Sequence, residues 1–162
     1  VTNLSTSMML DNIANETIRT RIGEAHVVKK MNELNISIGG EGNGGVILKD
    51  VHLGRDSLVA ISMILSLLSS SGKSISDEIS NIPQYLMIKD KIPIDDKIDF
   101  DSLETIFDCN EINKIDGIKF IWLNKWIHIR KSNTEPIIRI FAEAKTQEEV
   151  DELINTLKNY LK

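Results

Sequence analysis

The sequence predicts two small domains in a row: an α/β three-layer domain over residues 1–81, then a small α+β domain over residues 82–162, with an antiparallel sheet and flanking helices. In the first half, helical and strand-like segments alternate, which is typical of layered α/β sheets. In the second half, strand-like segments follow one another between helical ends, which favours antiparallel pairing. The pattern changes near SNIPQY, where Pro83 follows a serine-rich helix end, and we place the boundary there.

The elements of the first domain are indicated by apolar periodicity and by glycine. STSMMLDNIANE predicts a helix with Ser5 or Thr6 as its N-cap, and TIRTRI predicts a strand that Gly23 separates from the helix EAHVVKKMNELN. The strands ISIGG and GVILK flank a glycine loop, and the helix RDSLVAISMILSLLSSSG ends at Gly72. Its apolar run LVAISMILSLL is shorter than the roughly 18 to 20 residues of a membrane span, so we expect a buried helix.

The second domain begins with a short helix predicted from DFDSLETIFD. Three strands are predicted from DGIKFIWL, KWIHIRK and PIIRIFAEA. The final helix, TQEEVDELINTLKNYLK, has Thr146 as N-cap and Glu149 three residues later, which is a capping box. Five apolar side chains share one face of this helix and are expected to cover the core: Val150, Leu153, Ile154, Leu157 and Leu161.

Composition excludes several classes of protein. With 41% hydrophobic and 27% charged residues, the chain is neither disordered nor collagen-like. Its net charge of −5 argues against a nucleic-acid partner, and the short apolar runs argue against a membrane partner. A single cysteine, Cys109, excludes an internal disulfide, so we expect a cytoplasmic location and an inert thiol. No metal site is predicted, because His26, His52 and His128 are far apart in sequence and have no evident catalytic partner.

The strongest candidate site is RKSNTEPIIRIFAEA, at residues 130–144. Strand alternation places Arg130 on the face opposite Ile127 and Ile129, and it places Arg139 opposite the apolar residues around it. Both guanidinium groups can therefore point outward over the turn. Two Arg forks together with turn amides suit a dianionic phosphate. The predicted phosphate-binding residues are Arg130, Ser132, Asn133, Thr134 and Arg139.

A plainer interpretation of this segment stays open. Ser-Asn-Thr would then form an ordinary hairpin turn, and the arginines would be solvated or paired with Glu135 and Glu143.

The glycine loop GGEGNGG, at residues 39–45, is the second candidate. Glycines let backbone approach a ligand closely, while Glu41 and Asn43 would be held at the tip of the loop. The loop lacks the Lys-Ser/Thr of a phosphate P-loop, and its central acid would repel phosphate. Carboxylate and amide groups suit hydroxyl groups, as on a sugar, although a flexible hairpin is the simpler alternative.

The turn RTRIGEAH is a third candidate. It places Arg19, Arg21 and Glu24 between a strand and a helix, where the helix N-terminus adds a positive dipole end. An ordinary βα turn would have the same sequence.

Taken together, RTRIGEAHVVKKMNELN, IGGEGNGGVILKDVHLGRDSLVAISMIL, DGIKF and RKSNTEPIIRIFAEA resemble the α-D-phosphohexomutase family. The members most similar in these motifs are the archaeal-type phosphomannomutases/phosphoglucomutases and the phosphoglucosamine mutases. The resemblance covers nearly the whole chain and corresponds to the third and fourth domains of a four-domain enzyme.

The resemblance implies roles for both loops. Arg130, Ser132, Asn133, Thr134 and Arg139 match the loop that holds the substrate phosphate. The third-domain loop would contact the sugar hydroxyls, and Glu41, Gly42, Asn43 and Gly44 match it, with Arg21 as a possible addition. Many members have Ser at the place of Asn43 and His at the place of Gly45, which leaves the preferred hexose open. Glu24 lies where relatives place a residue that assists proton transfer.

The resemblance also implies parts that this sequence does not contain. Members carry a phosphoserine in a T-x-S-H-N-P-type loop and bind Mg²⁺ with a D-G-D-x-D-R loop, and neither pattern occurs here. The acidic segment PIDDKIDFD lacks the glycine and arginine of the metal loop. We therefore expect Mg²⁺ and catalytic serine outside this fragment, in N-terminal domains that would be its partner and would precede the strand-like start at Val1.

The implied reaction is the interconversion of hexose 1-phosphate and 6-phosphate through a bisphosphate intermediate, with a phosphorylated hexose as substrate. This fragment alone would be inactive, and a hinge at residues 81–84 is expected to let the sugar and phosphate loops act on a substrate that turns over. Two alternatives stay open: a stand-alone phosphosugar-binding module without turnover, and a purely structural pair of domains in which Arg130→Ala has no effect on any ligand.

Overall fold

The computed structural model describes residues 1–94, 100 and 102–161, and the chain divides into two compact units, Val1–Pro83 and Gln84–Lys162. Within the described part of the chain, we find no helix that is both long and apolar enough to cross a membrane.

Unit 1 combines helices with short pairs of strands, which confirms the predicted α/β class. Strands β1 and β2 pair in parallel, and β3 and β4 form an antiparallel hairpin in which Glu41 lies opposite Gly45. A 3-10 helix lies between β1 and β2. The bounds are β1 Thr2–Asn3, 3-10 helix Met8–Asn12, β2 Arg19–Thr20, α1 Glu24–Leu34, β3 Ile38–Glu41, β4 Gly45–Leu48, α2 Ser57–Ser71 and α3 Ile75–Ser80.

The core of unit 1 forms under α1. Val27 and Met31 lie one helical turn apart on the same face of α1, and both are fully buried together with Ile47 of β4. The last residue of the helix, Leu34, is also apolar but is exposed. Gly23 precedes α1 with a φ of 124°, a conformation open to glycine and strained for other residues.

Two local predictions in unit 1 are wrong. The helix predicted from STSMMLDNIANE is a 3-10 helix, and its N-cap is Ser7, whose hydroxyl accepts from the Met9 amide. Ser5 and Thr6 are buried instead, and the Asn3 side-chain carbonyl accepts from the Ser5 amide and the Thr6 hydroxyl. The prediction also missed helix α3, which begins with a capping box formed by Ser74 and Asp77.

Helix α2 has the predicted extent but not the predicted burial. Asp56 caps it through the Leu58 and Val59 amides, and Gly72 ends it with a φ of 67°. Several large apolar side chains are nevertheless exposed: Leu58, Ile61, Ile64, Leu65 and Leu67. The prediction of a buried helix failed because this helix is apolar on all sides, and β4 covers only one side of it.

Unit 2 has a sheet of five described strands, all antiparallel, in the order β5-β9-β8-β7-β6. The predicted α+β class with an antiparallel sheet is therefore confirmed. The bounds are β5 Leu86–Pro93, 3-10 helix Ser102–Thr105, β6 Glu111–Asn113, β7 Ile118–Ile121, β8 Trp126–Lys131, β9 Ile137–Ala144 and α4 Gln147–Tyr160.

Helix α4 shares the core of unit 2 with the sheet. The predicted capping box is present, because Thr146 accepts from the Glu149 amide while Glu149 accepts from the Thr146 amide. Four of the five predicted side chains are buried in the core cluster: Val150, Leu153, Ile154 and Leu157. The fifth, Leu161, is partly buried and packs against the cluster. Alternate residues of the central strands complete the cluster, among them Ile127, Ile129, Ile138 and Ile140.

Among the described residues, the sheet of unit 2 has two more strands than the sequence predicted. Strands β5 and β6, at the two edges, were not predicted, because β5 follows the proline at the predicted boundary and β6 has only three residues. The helix predicted from DFDSLETIFD is a 3-10 helix at Ser102–Thr105 within the described residues. Residues 95–99 and 101 of PIDDKIDFD, and residues 99 and 101 of DFDSLETIFD, lie outside the described residues.

Replacing the N-cap of α4 tests how strongly this helix anchors unit 2. We expect Thr146→Ala to lower the free energy of unfolding by about 1 kcal/mol, since the Glu149 amide in the first turn loses the hydroxyl that accepts its hydrogen bond. Urea unfolding followed by tryptophan fluorescence measures this unit specifically, because both tryptophans, Trp122 and Trp126, lie in it. Thr146→Ser keeps the hydroxyl and should unfold like the original chain; an equal loss in both variants would contradict the capping role.

Candidate functional site

The hairpin of β8 and β9 brings the two predicted arginines together. Arg130 and Arg139 lie directly opposite each other in the antiparallel register. The predicted alternation is confirmed, because Ile127, Ile129 and Ile138 belong to the core cluster while Arg130 and Arg139 lie on the other face of the sheet. Two positive side chains therefore meet at the end of the hairpin, beside the loop at residues 132–136.

Arg130 is held by an acid that the sequence analysis missed. Its side chain is buried, and Nε lies 3.4 Å from Oδ1 of Asp116. His128, fully buried on the same strand, donates from Nε2 to the main-chain carbonyl of Asp116 at 2.5 Å. Asp116 thus holds Arg130 with its carboxylate and His128 with its backbone, so the predicted outward orientation of Arg130 is wrong: it is a buried, fixed cation.

Gly117 brings Asp116 close enough to make these contacts. Its φ is 71°, and a Cβ at this position would lie 2.2 Å from the carbonyl oxygen of Ile129 and 2.9 Å from Cα of Arg130. The turn before β7 therefore packs directly on the backbone of β8, at a distance that excludes a side chain. The Asp-Gly pair in DGIKF was the sequence signal for this partner.

Arg139 is held differently, at the surface. Its Nε donates to Oγ of Ser132 at 3.2 Å, and NH2 pairs with Oε2 of Glu135 at 2.5 Å. Glu135 is about half exposed. The plainer interpretation is thus correct for Arg139 and Glu135, whereas Glu143 accepts from the indole of Trp126 at 2.6 Å.

The loop between the two arginines is closed by its own hydrogen bonds. The Ser132 amide donates to the Ile137 carbonyl at 2.9 Å, and the Thr134 amide lies 3.5 Å from the Ser132 hydroxyl. Asn133 and Thr134 are exposed at the tip. The loop therefore presents small polar groups to solvent next to one fixed and one surface arginine.

His128 remains neutral in this environment. Its pKa is lowered from 6.5 to about 4, chiefly by burial and also by the nearby positive charges of Lys119 and Arg130, against the opposing effect of Asp116. A neutral imidazole carries its proton on Nε2, since that atom faces a carbonyl oxygen. His128 therefore adds no positive charge beside Arg130 near neutral pH.

In unit 1, Glu41 is not at a loop tip as predicted. It is the last residue of β3, and its side chain is 5% exposed. Its Oε1 accepts from Nδ2 of Asn3 at 2.9 Å and from the Gly23 amide at 3.1 Å. A carboxylate this deep needs such partners because burying it unpaired is costly. The burial of Glu41 could not be predicted from the loop sequence, because its hydrogen-bond partners come from β1 and from the start of α1.

The second acid, Glu24, is joined to Glu41 through Arg55, which the sequence analysis also missed. Arg55 donates from Nε to Oε2 of Glu24 at 2.7 Å, and from its amide to Oε1 at 3.1 Å. Its NH1 lies 3.4 Å from Oε2 of Glu41. These hydrogen bonds lower the pKa of Glu24. One guanidinium thus serves two carboxylates.

The other residues of the glycine loop shape the turn. The side chain of Asn43 accepts from the Gly45 amide at 3.1 Å, so it caps the turn. A Cβ on Gly42 would lie 3.0 Å from Cα of Thr6, and Gly44 has a φ of 92°. Gly44 is therefore favoured by its backbone conformation and Gly42 by the close approach of Thr6, and the turn is exposed from Gly42 to Gly44.

The third candidate, RTRIGEAH, does not form a cluster of arginines. Arg19 donates to the Thr6 carbonyl at 2.8 Å and makes a bidentate pair with Asp11 at 3.0 and 2.8 Å, so it ties β2 to the 3-10 helix. Arg21 follows β2 and is exposed. For the described residues, there is no group of three or more His, Cys, Asp or Glu side chains that could hold a metal ion.

Comparison with known proteins assigns both units. Residues 1–85 match the family description "Phosphoglucomutase/phosphomannomutase, alpha/beta/alpha domain III", and residues 90–159 match "Phosphoglucomutase/phosphomannomutase, C-terminal domain".

Curated relatives have the same assignment. The chain is 38% identical to a phosphoglucomutase/phosphomannomutase of Thermococcus kodakarensis, over 95% of this chain and 36% of the relative. It is 31% identical to a phosphoglucosamine mutase of Methanococcus maripaludis, over 96% and 37%. The chain thus spans little more than a third of these relatives. A phosphoglucomutase/phosphomannomutase family structure from Burkholderia thailandensis shares the fold, with a TM-score of 0.75 and 22% identity over 90% of this chain and 32% of that one.

The neutral state of His128 predicts an acid-sensitive unit 2. The unfolded chain takes up this proton near pH 6.5 and the folded chain only near pH 4, so stability is complete above pH 6.5 and is lost as the pH falls toward 4. The histidine contribution to this loss should be about 3 kcal/mol. Urea unfolding followed by tryptophan fluorescence between pH 7.5 and 4.5 measures it.

His128→Gln is the matched variant for this experiment, because it keeps a side-chain donor for the Asp116 carbonyl and does not titrate. Its stability should fall much less over the same pH range. Parallel curves for the two chains would show that another group causes the acid sensitivity.

Proposed function

The chain belongs to the phosphoglucomutase/phosphomannomutase family, and we propose that it is the substrate-binding C-terminal portion of a phosphohexomutase. In this proposal unit 1 binds the sugar and unit 2 binds the phosphate of a hexose phosphate. The whole enzyme would interconvert the 1- and 6-phosphates through a bisphosphate intermediate. The phosphoserine and Mg²⁺ would be supplied by domains outside this chain, and a cytoplasmic location is part of the same proposal.

The observation that carries the phosphate role is the opposed pair Arg130 and Arg139 beside the loop at residues 132–136. Arg130 is fixed by Asp116, so a ligand meets a preorganised charge and side-chain ordering costs little. Arg139 is paired with the half-exposed Glu135, and a surface pair of this kind is worth only about 0 to 1 kcal/mol. A dianion can therefore displace Glu135 and receive a charge-assisted bond from Arg139.

Ser132, Asn133 and Thr134 complete the proposed phosphate site. Ser132 already contacts Arg139, and the exposed Asn133 and Thr134 can offer side-chain and main-chain donors to phosphate oxygens. Phosphoryl-transfer enzymes act mainly by positioning and by charge stabilisation, and these groups can supply both.

The proposed sugar role belongs to Glu41, with Asn43 and the backbone of Gly42 and Gly44. Oε1 of Glu41 is taken by Asn3 and Gly23, which leaves Oε2, on the side of Arg55, to accept a sugar hydroxyl. The proton-transfer role that the resemblance implies for Glu24 stays a prediction. The lowered pKa of Glu24 argues against it, because a carboxylate stabilised by Arg55 is a weaker base.

Removing the surface arginine tests the phosphate site. We expect Arg139→Gln to weaken binding of glucose 1-phosphate and of inorganic phosphate at least fivefold, from an original Kd on the order of 1 mM, since one charge-assisted bond is lost. Chemical-shift titration of the amides at residues 131–139 measures it. Lys145→Ala is the charge-matched control, because Lys145 is exposed just beyond the other end of β9. An equal loss of phosphate affinity in both variants would show that the effect comes from net charge and not from a contact with Arg139.

Removing the internal competitor should have the opposite effect. Glu135→Gln leaves Arg139 without its carboxylate partner and takes one negative charge from the loop, so phosphate affinity should rise about threefold to tenfold. The same titration measures the change, with Glu111→Gln, which neutralises an exposed acid on β6, as control. A decrease in affinity would show that Glu135 orders the loop for the ligand and does not compete with it.

A further inference from the structure

Arg55 lies at the centre of the polar cluster of unit 1, and none of the roles assigned above uses it. Its guanidinium contacts Glu24 with Nε and faces Glu41 with NH1. The side chain is 42% exposed, so the pairing is not explained by burial of the arginine itself. Solvated arginines seldom hold two carboxylates in fixed geometry, because such ordering costs side-chain entropy.

The path of this side chain explains one glycine of the loop. A Cβ on Gly45 would lie 2.2 Å from Cδ and 2.8 Å from Cγ of Arg55. Gly45 does not have a positive φ, so its backbone is open to other residues. The space for a side chain is closed mainly by Arg55, with Oδ1 of Asn43 also 3.3 Å from the Cβ position. The loop therefore lacks a side chain at residue 45 because Arg55 passes through that volume.

Two hydrogen bonds from Arg55 to Glu24, together with the ion pair between Arg55 and Glu41, give the Glu41 carboxylate one defined orientation. Asn3 and Gly23 hold Oε1, which still leaves the carboxylate able to tilt about that atom. Arg55 draws Oε2 toward itself at 3.4 Å, and Glu24 prevents Arg55 from moving away by binding both its side chain and its amide.

We propose that Arg55, held by Glu24 and accommodated by Gly45, is the positioning residue that orients the Glu41 carboxylate toward the sugar hydroxyls. The inference rests on the proposed sugar-binding role of Glu41 and names the residue that orients its carboxylate. Without Arg55, Oε2 can rotate, and the hydroxyl it would accept is no longer in a fixed place.

The first measurement does not need a ligand. Arg55→Gln should raise the pKa of Glu24 toward its ordinary value, because its hydrogen bonds with the arginine are lost. If Arg55 also positions Glu41, the amide resonance of Gly23, which donates to Glu41, should move in the same variant. A change at Glu24 with an unchanged Gly23 amide would overturn the inference and reduce Arg55 to the partner of Glu24.

The second measurement uses glucose 1-phosphate and mannose 1-phosphate on the full chain, with the amides at residues 39–45 as reporters. Arg55→Gln should weaken the binding reported by these amides about tenfold, because the ion pair that orients the Glu41 carboxylate is lost. Gly45→Ala should do the same, since its Cβ displaces Arg55, and the double variant should be no weaker than either single one. Additive losses would contradict a shared mechanism.

Lys73→Gln is the control for charge in unit 1, because Lys73 is exposed just after α2. Failure of the proposed function is a distinct outcome: the original chain would show no shifts at residues 39–45 with either sugar phosphate. The inference would then fail as a statement about ligand binding, whatever the Gly23 amide shows. Shifts in the original chain that persist unchanged in Arg55→Gln would overturn the inference and leave the sugar role intact.

Discussion

Two arginines directly opposite each other in an antiparallel sheet repel, and the arrangement of unit 2 around its hairpin depends on how that repulsion is balanced. One counter-charge, Asp116, comes from the turn before β7 and is fixed by a glycine that lets two backbones touch. The other, Glu135, comes from the loop itself and stays at the surface. The pair therefore has one buried partner and one surface partner, an asymmetry that agrees with the proposed phosphate site.

Unit 1 solves the complementary problem, a buried negative charge. Glu41 is surrounded by an amide side chain, a helix-start amide and a guanidinium, which come from β1, the start of α1 and the segment before α2. These donors lie up to 38 residues away along the chain. The polar cluster consequently links the separate elements of unit 1 as much as its small apolar core of Val27, Met31 and Ile47 does.

Local patterns predicted the parts of this chain that local forces determine. The capping box of α4, the glycine that ends α2 and the alternation along β8 and β9 all follow from residues a few positions apart. The partners of the site residues did not follow. Asp116 reaches Arg130, and Arg55 reaches Glu41, through tertiary packing. In the sequence these close approaches were indicated only by Gly117 and Gly45, which do not identify the residues that pack there. The burial of α2 was wrongly predicted because an apolar sequence indicates that a helix favours burial, but it does not show which elements pack against that helix.

The Glu135 carboxylate has one more consequence, for the choice among anions in a salt-rich solution. Because it already neutralises Arg139, chloride and other monovalent ions gain little by replacing it, whereas a doubly charged phosphate gains from both arginines at once. In the proposed phosphate site, Glu135 would therefore act as an internal counter-ion that favours divalent over monovalent anions. Without a ligand, the same ion pair leaves Arg139 neutralised at the surface of the hairpin.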